Sequence, residues 1–182
     1  MYGMIHKAIR DMVVTKFGED TWEIVAKDAN VGDEHLLSMS TYDDKVMYAM
    51  VESACKVLEL SQEQVYESFG RYFVEVTLQT NFKSLLHTYG GSSFALFENL
   101  NTLHETISTT YTGYSPPFFE VTRRTDNEID LFYQSERGGL SPFVRGMVFG
   151  LADFYEEVVL ITEEEEITTM DGERIRFRLV RE

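Results

Sequence analysis

The sequence predicts an α+β domain: a helical N-terminal half packed on a C-terminal antiparallel β-sheet with an inserted helix. Two observations carry this. Through the first half the apolar residues recur at helical spacing, and after Pro117 they fall into short runs around hairpin turns. One further helical stretch, about Ser141 to Tyr155, lies between the two hairpins.

Residues 2–17 place Ile5, Ile9, Met12, Val13 and Phe17 on one helical face, ending at Gly18. Asp20 is positioned to cap a second helix through Trp22, Ile24 and Val25 to about Ala29, and the polar loop NVGDEH follows. A third helix spans Asp43 to Leu60. Ser61-Gln62-Glu63-Gln64 then reads as a capping box opening a fourth, through Val65, Phe69, Tyr72 and Phe73. Val74–Tyr89 is apolar in patches without a clean period. Gly90-Gly91-Ser92-Ser93 is a turn whose serine can cap the helix bearing His104. Phe118–Arg124 and Glu128–Gln134 read as strands around Thr125-Asp126-Asn127, and Glu163–Met170 and Glu173–Val180 as two more around Asp171-Gly172.

With 182 residues, 43% of them hydrophobic, the chain can fill one core, and the length favours one domain or a tight two-lobe unit. Thirteen Phe and ten Tyr supply more flat apolar surface than a small helical core requires. The net charge of −15 argues against nucleic acid and anionic membranes, which bind through Lys/Arg clusters, and favours protein partners with a basic face. No apolar run approaches the roughly 18 residues of a spanning helix, so the sequence reads as a soluble, unexported, cytoplasmic protein. The single cysteine, Cys55, leaves no internal disulfide and reads as a buried, inert thiol among Met50, Val51, Ala54 and Leu58. The acidic run Glu163–Glu166 alternates between two strand faces and does not converge on a metal; it reads as a solvated strand edge that discourages pairing. His6, His35 and His87 lie in polar or loop contexts and read as surface residues.

Two stretches carry chemistry. In Asn99–Pro117, helical spacing sets Phe97, Leu100 and His104 on one face, so the imidazole looks into an apolar interior. Such a group is either a core histidine bonded to backbone or a ligand. At Tyr133-Gln134-Ser135-Glu136-Arg137, an extended strand would align Tyr133, Ser135 and Arg137 as a comb of donors suited to paired carboxylates. The alternative is a strand end with an exposed arginine. A flat, apolar, metal-centred ligand edged with carboxylates satisfies both stretches, and haem is that ligand.

His104, the Pro116-Pro117 pair, Tyr-x-Ser-x-Arg at 133–137, the opening Met-Tyr-Gly-x-Ile and Gly-Leu-x-Pro-x-Val after Arg137 resemble the H-NOX family. These are the haem nitric oxide/oxygen binding domains related to the haem domain of soluble guanylate cyclase. The resemblance covers nearly the whole chain and implies one domain over residues 1–182, with haem buried between a distal helical subdomain (1–60) and a proximal helix plus sheet (61–182). It implies His104 as the ligand of the iron in haem b (iron protoporphyrin IX), Tyr133, Ser135 and Arg137 as the propionate clamp, and Pro117 as the residue that bends the haem. Aligning Gly146 and Gly150 with the helix after the clamp sets Phe143 over the iron, where family members that hold oxygen stably carry a tyrosine. Ile5, Ile9 and Phe73 complete an apolar distal pocket.

Bound O2 carries negative charge on its outer oxygen and gains from a donor, whereas bound NO is nearly neutral. A hydrogen bond to a charged acceptor is worth about 1.5–3 kcal/mol, so losing it weakens O2 binding roughly ten- to a hundredfold. The sequence therefore favours a non-catalytic sensor that takes NO and CO and ignores oxygen. By the resemblance, NO weakens or breaks the bond from iron to His104, the haem relaxes against Pro117, and the helical half shifts. Switching from 1:99 to 99:1 takes about 5.5 kcal/mol of differential affinity. With no output domain in 182 residues, the expected partner is a separate chain, in this family commonly a histidine kinase or a cyclic-di-GMP enzyme. An oxygen sensor or carrier and a haem-free interaction module are the alternatives.

Overall fold

The structure is a computed structural model that describes residues 1–111, 115–169 and 172–182. The helices α1 (Gly3–Phe17), α2 (Glu19–Asp28), α3 (Asp44–Leu58) and α4 (Gln62–Tyr72) come first. A short 3-10 turn, Asp33–Leu36, sits inside the expected polar loop. Next come α5 (Gln79–Tyr89), α6 (Ser93–Glu98) and α7 (Leu100–Ser108), then strands β1 (Phe118–Thr125) and β2 (Glu128–Gln134), helix α8 (Ser141–Phe154), and strands β3 (Val159–Thr169) and β4 (Gly172–Arg181). The α+β arrangement with a helix inserted in the sheet is as the sequence predicts.

Local chemistry explains most boundaries. The capping box forms: Gln64 N–H donates to Ser61 Oγ at 3.2 Å, and Ser61 N–H donates to Gln64 Oε1 at 2.9 Å. Asp43 caps α3 through Lys45 N–H. Asp20, in contrast, does not cap α2. Gly18 does, with φ of 92°, leaving Asp20 in the first turn where its charge suits the helix N-terminus. The serine cap of the Gly-Gly-Ser-Ser turn also falls elsewhere than expected: Ser92 caps α6, and the chain breaks at Asn99 before the helix that bears His104. Between α4 and α5 the helix continues through a π turn, Phe73–Leu78. One extra residue in a turn shifts the phase of the apolar stripe, which is why Val74–Tyr89 shows no clean period.

Two hydrophobic cores result. One, from Ala8 to Phe73, is built by α1–α4; the other, from Val74 to Leu179, joins α5–α8 to the inner face of the sheet. Helices α4 and α8 cross at backbone distance. A Cβ on Gly70 would lie 2.0 Å from the Phe143 carbonyl oxygen, and one on Gly146 2.0 Å from that of Glu67, so only glycine permits the approach.

The sheet is antiparallel in the order β1-β2-β4-β3. Ile129, Leu131, Tyr133, Phe177 and Leu179 point into the core. The acidic run lies on the edge strand β3, but it is ion-paired as well as solvated. Arg176 Nη2 holds Glu163 at 3.0 Å and Glu165 at 2.6 Å, while Glu164 on the other face meets Arg145 of α8 at 2.8 Å. Asp171 of the second hairpin turn lies outside the described residues.

Two readings of single residues are corrected. His6 is fully buried, with Nδ1 2.9 Å from the His35 carbonyl and its ring packed on Tyr42 at 5.3 Å, because α1 docks that face against the 35–42 loop. His35 is half-buried and His87 is exposed. Cys55 is half-buried rather than buried, and desolvation raises its thiol pKa.

Candidate functional site

The seam between the two cores holds a cavity of about 280 Å³, where one water needs only about 15 Å³. Leu78, Leu140 and Met147 pack against both cores and line it. Of the residues singled out in the sequence, His104, Pro117, Tyr133, Ser135, Arg137, Ile5, Phe73 and Phe143 all reach its wall. Ile9 does not: one turn along α1 from Ile5, it is 1% exposed inside the helical core.

One wall belongs to α7 and the sheet. Leu100 and Leu103 bury the apolar side of α7, and Phe97 from α6, Leu100 and His104 all face the cavity despite the break at Asn99. The imidazole lies 5.9 Å from the Phe119 ring, which lies 5.5 Å from that of Tyr133. Burial pushes the His104 pKa down to about 4, against a smaller opposite effect of its backbone hydrogen bond with Pro117. It is neutral at pH 7, the form in which an imidazole donates a lone pair to a metal.

The donor comb forms by a different geometry from a straight strand. β2 ends at Gln134, so only Tyr133 projects from it; Ser135 and Arg137 come from the turn that follows, where Arg137 N–H donates to Ser135 Oγ at 3.1 Å. The guanidinium is held from two sides. Nε donates to Asp44 Oδ2 at 2.7 Å and Nη1 to the Ser115 carbonyl at 2.9 Å. Desolvation raises the Asp44 pKa, but hydrogen bonds from the Met1 amine and Arg137 outweigh it and hold the carboxyl below its ordinary value. Burial raises the Tyr133 pKa, so its phenol keeps its proton to donate.

The other wall is apolar. Phe143 of α8 packs against Phe69 at 5.0 Å and Phe73 at 6.0 Å, with Ile5 from α1 beside them on the cavity. Sequence reasoning missed Asp44, 93 residues from its arginine, for which no local signal exists. It also missed Met147, which lies one helical turn beyond Phe143 and could have been read from that spacing. Tyr2 packs edge-on against Tyr111 at 5.0 Å, and both line the cavity.

Among the described residues, no three His, Cys, Asp or Glu side chains converge as an all-protein metal site needs. A metal at His104 would therefore need a group that brings further ligands with it, and a porphyrin edged with carboxylates suits both the apolar walls and Arg137. The residues present fit haem, and fold and cavity together have the form of a haem-binding domain.

The haem-NO-binding family profile matches residues 2–163, and the chain belongs to that family. It is 28% identical over 178 residues to soluble guanylate cyclase gcy-35 of Caenorhabditis elegans, covering 94% of this chain and 26% of that protein. It is 26% identical over 189 residues to gcy-32 of the same organism, covering 99% and 28%. The chain thus spans about a quarter of the length of these relatives and matches their sensor part. Among solved structures, the H-NOX protein from S. oneidensis in the Fe(II)NO ligation state superposes with a TM-score of 0.84 at 18% identity, covering 100% of this chain and 99% of that one. The Fe(II) unliganded H-NOX protein from K. algicida gives 0.83 at 19%, covering 100% and 97%. At these identities the likeness establishes the fold. No helix among the described residues is long and apolar enough to cross a membrane.

Proposed function

We propose that this chain senses nitric oxide through haem b held by His104, and that it does so without catalysing a reaction. When bound, haem would supply a ferrous iron able to take a gas. His104 would hold that iron, Tyr133, Ser135 and Arg137 would orient the carboxylate edge, and Pro117 would press on the macrocycle. Ile5, Phe73 and Phe143, with Ile9 behind them, themselves offer the gas side no hydrogen-bond donor. NO and CO need none, whereas O2 does.

The observation that carries this reading is the pairing of one half-buried, neutral imidazole with a wall of aromatic and aliphatic side chains across the same cavity. With NO bound, His104 would be free to leave the iron; α7 would then be freed and the distal unit, residues 1–60, could shift against the proximal unit, residues 61–182, within a single domain. The signal passes to a separate signalling protein in the cytoplasm, such as a histidine kinase or a cyclic-di-GMP enzyme. A −15 chain suits docking to a basic face of that partner.

The test is the absorption spectrum of the reduced, anaerobic protein before and after NO and, in a separate aliquot, after air. A haem spectrum that NO changes and that shows no stable O2 adduct in air supports the reading. A stable O2 adduct replaces it with an oxygen sensor, and a protein that takes up no haem overturns it.

A further inference from the structure

Helix α7 is held at two places by side chains that touch neither Pro117 nor the donor comb. At its first turn Asn101 makes a reciprocal pair with strand β1: Nδ2 donates to the Phe119 carbonyl at 2.6 Å, and Phe119 N–H donates to Oδ1 at 3.0 Å. Phe119 sits on the edge of the sheet, so the amide of Asn101 satisfies backbone groups that a further strand would otherwise take. Two bonds to backbone make this end of α7 the firmer one.

At the second turn, besides what His104 itself touches, there is one side-chain hydrogen bond to another helix among the described residues. The Tyr89 hydroxyl, from the last residue of α5, lies 2.5 Å from Thr106 Oγ1. Thr106 gives its own hydrogen to the Thr102 carbonyl at 3.1 Å, so Tyr89 is the donor. The Tyr89 carbonyl also accepts from Asn99 Nδ2 at 3.0 Å, just ahead of α7. One residue of α5 therefore brackets the His104 helix, grasping the junction before it and the turn after His104. The bracket is itself anchored, since the Tyr155 hydroxyl beyond α8 reaches the carbonyls of Leu86 at 2.8 Å and Gly90 at 3.0 Å on either side of Tyr89.

We infer that Tyr89 and Thr106 are positioning residues whose hydroxyl pair latches the free end of α7 to α5, so that α7 pivots at Asn101 when the latch opens. The pair is one hydrogen bond against the two of the Asn101 clamp, so it opens more readily, and being uncharged it is indifferent to pH near neutrality. Resting on the proposed release of His104, the latch sets how easily α7 departs once that residue is free.

The test is hydrogen exchange of α7 amides in the reduced, haem-loaded protein without gas, for wild type, Tyr89→Phe, Thr106→Val and the double variant. Tyr89→Phe removes one oxygen and keeps the ring. Amides 104–108 should exchange about two- to tenfold faster in either single variant, with 100–103 unchanged, and no faster in the double variant than in the single ones. Wild-type exchange in Tyr89→Phe, or effects that add in the double variant, would overturn the latch. Repeating the measurement with NO separates the two ideas. If the variants behave as stated but NO leaves α7 exchange unchanged, the latch stands and the proposed release of His104 fails.

Discussion

Arg137 and Asp44 form an ion pair between the two cores: Nε lies 2.7 Å from Oδ2, joining the turn after β2 to the first turn of α3. The Tyr48 hydroxyl strengthens the same seam by donating to the Gly138 carbonyl at 3.3 Å. The cation that would bind haem carboxylates is thus aimed by a residue from the opposite unit.

Removing that cation should loosen haem. A charge-assisted hydrogen bond contributes about 1.5–3 kcal/mol, so Arg137→Ala should release haem to an excess of acceptor protein roughly ten- to a hundredfold faster. Asp44→Asn should have a smaller effect, about tenfold or less, because the pair is 21% and 32% exposed and partly screened. Wild-type haem retention in Arg137→Ala would remove it from the clamp.

The apolar gas side can be given a donor. Phe143→Tyr adds a hydroxyl to a ring that already faces the cavity, and O2 affinity should rise about ten- to a hundredfold while NO affinity changes little. Equilibrium binding of both gases checks this. Equal gains for both would mean that position 143 acts by shape alone.

The crossing of α4 and α8 should tolerate no side chain at its closest point. Gly146→Ala forces a methyl against the Glu67 carbonyl, at a cost of about 1–3 kcal/mol, or roughly 3–10 °C in thermal midpoint. Gly91→Ala, which has nothing within 4 Å, is the control and should leave the midpoint nearly unchanged.

Acid should weaken the fold through His6. Desolvation holds its pKa below 6.5 in the folded chain, so the unfolded chain binds more protons as pH falls through that value, and stability declines with it. In haem-free protein His104 adds the same sign, over the window from 6.5 to about 4. His6→Gln should flatten the fall in thermal midpoint between pH 7.5 and 5.5. An unchanged slope would assign the acid sensitivity to other groups.

Much of this molecule was legible in local chemistry. The capping box at Ser61, the strands around Asp126 and the inserted helix from Ser141 each carry their signal within a few residues, as do His104 and Tyr133-x-Ser135-x-Arg137. What escaped depends on contacts far apart in sequence. The burial of His6 is set by a loop some thirty residues on, and Asp44 meets Arg137 only because the two cores close on each other. The π turn hid a continuous helix by shifting its phase, and Asn99 split in two what spacing alone joined. Ile9 shares a helical face with Ile5, yet the cavity ends before reaching it.

The central claim is that His104 holds the iron. It is tested most directly by the iron–histidine stretching vibration of the reduced protein in wild type and in His104→Gly. The account predicts a stretch in wild type, its loss in the variant, and the appearance of an iron–imidazole stretch when free imidazole is added. A wild-type stretch that persists in His104→Gly without imidazole would place the iron on another histidine and contradict the account.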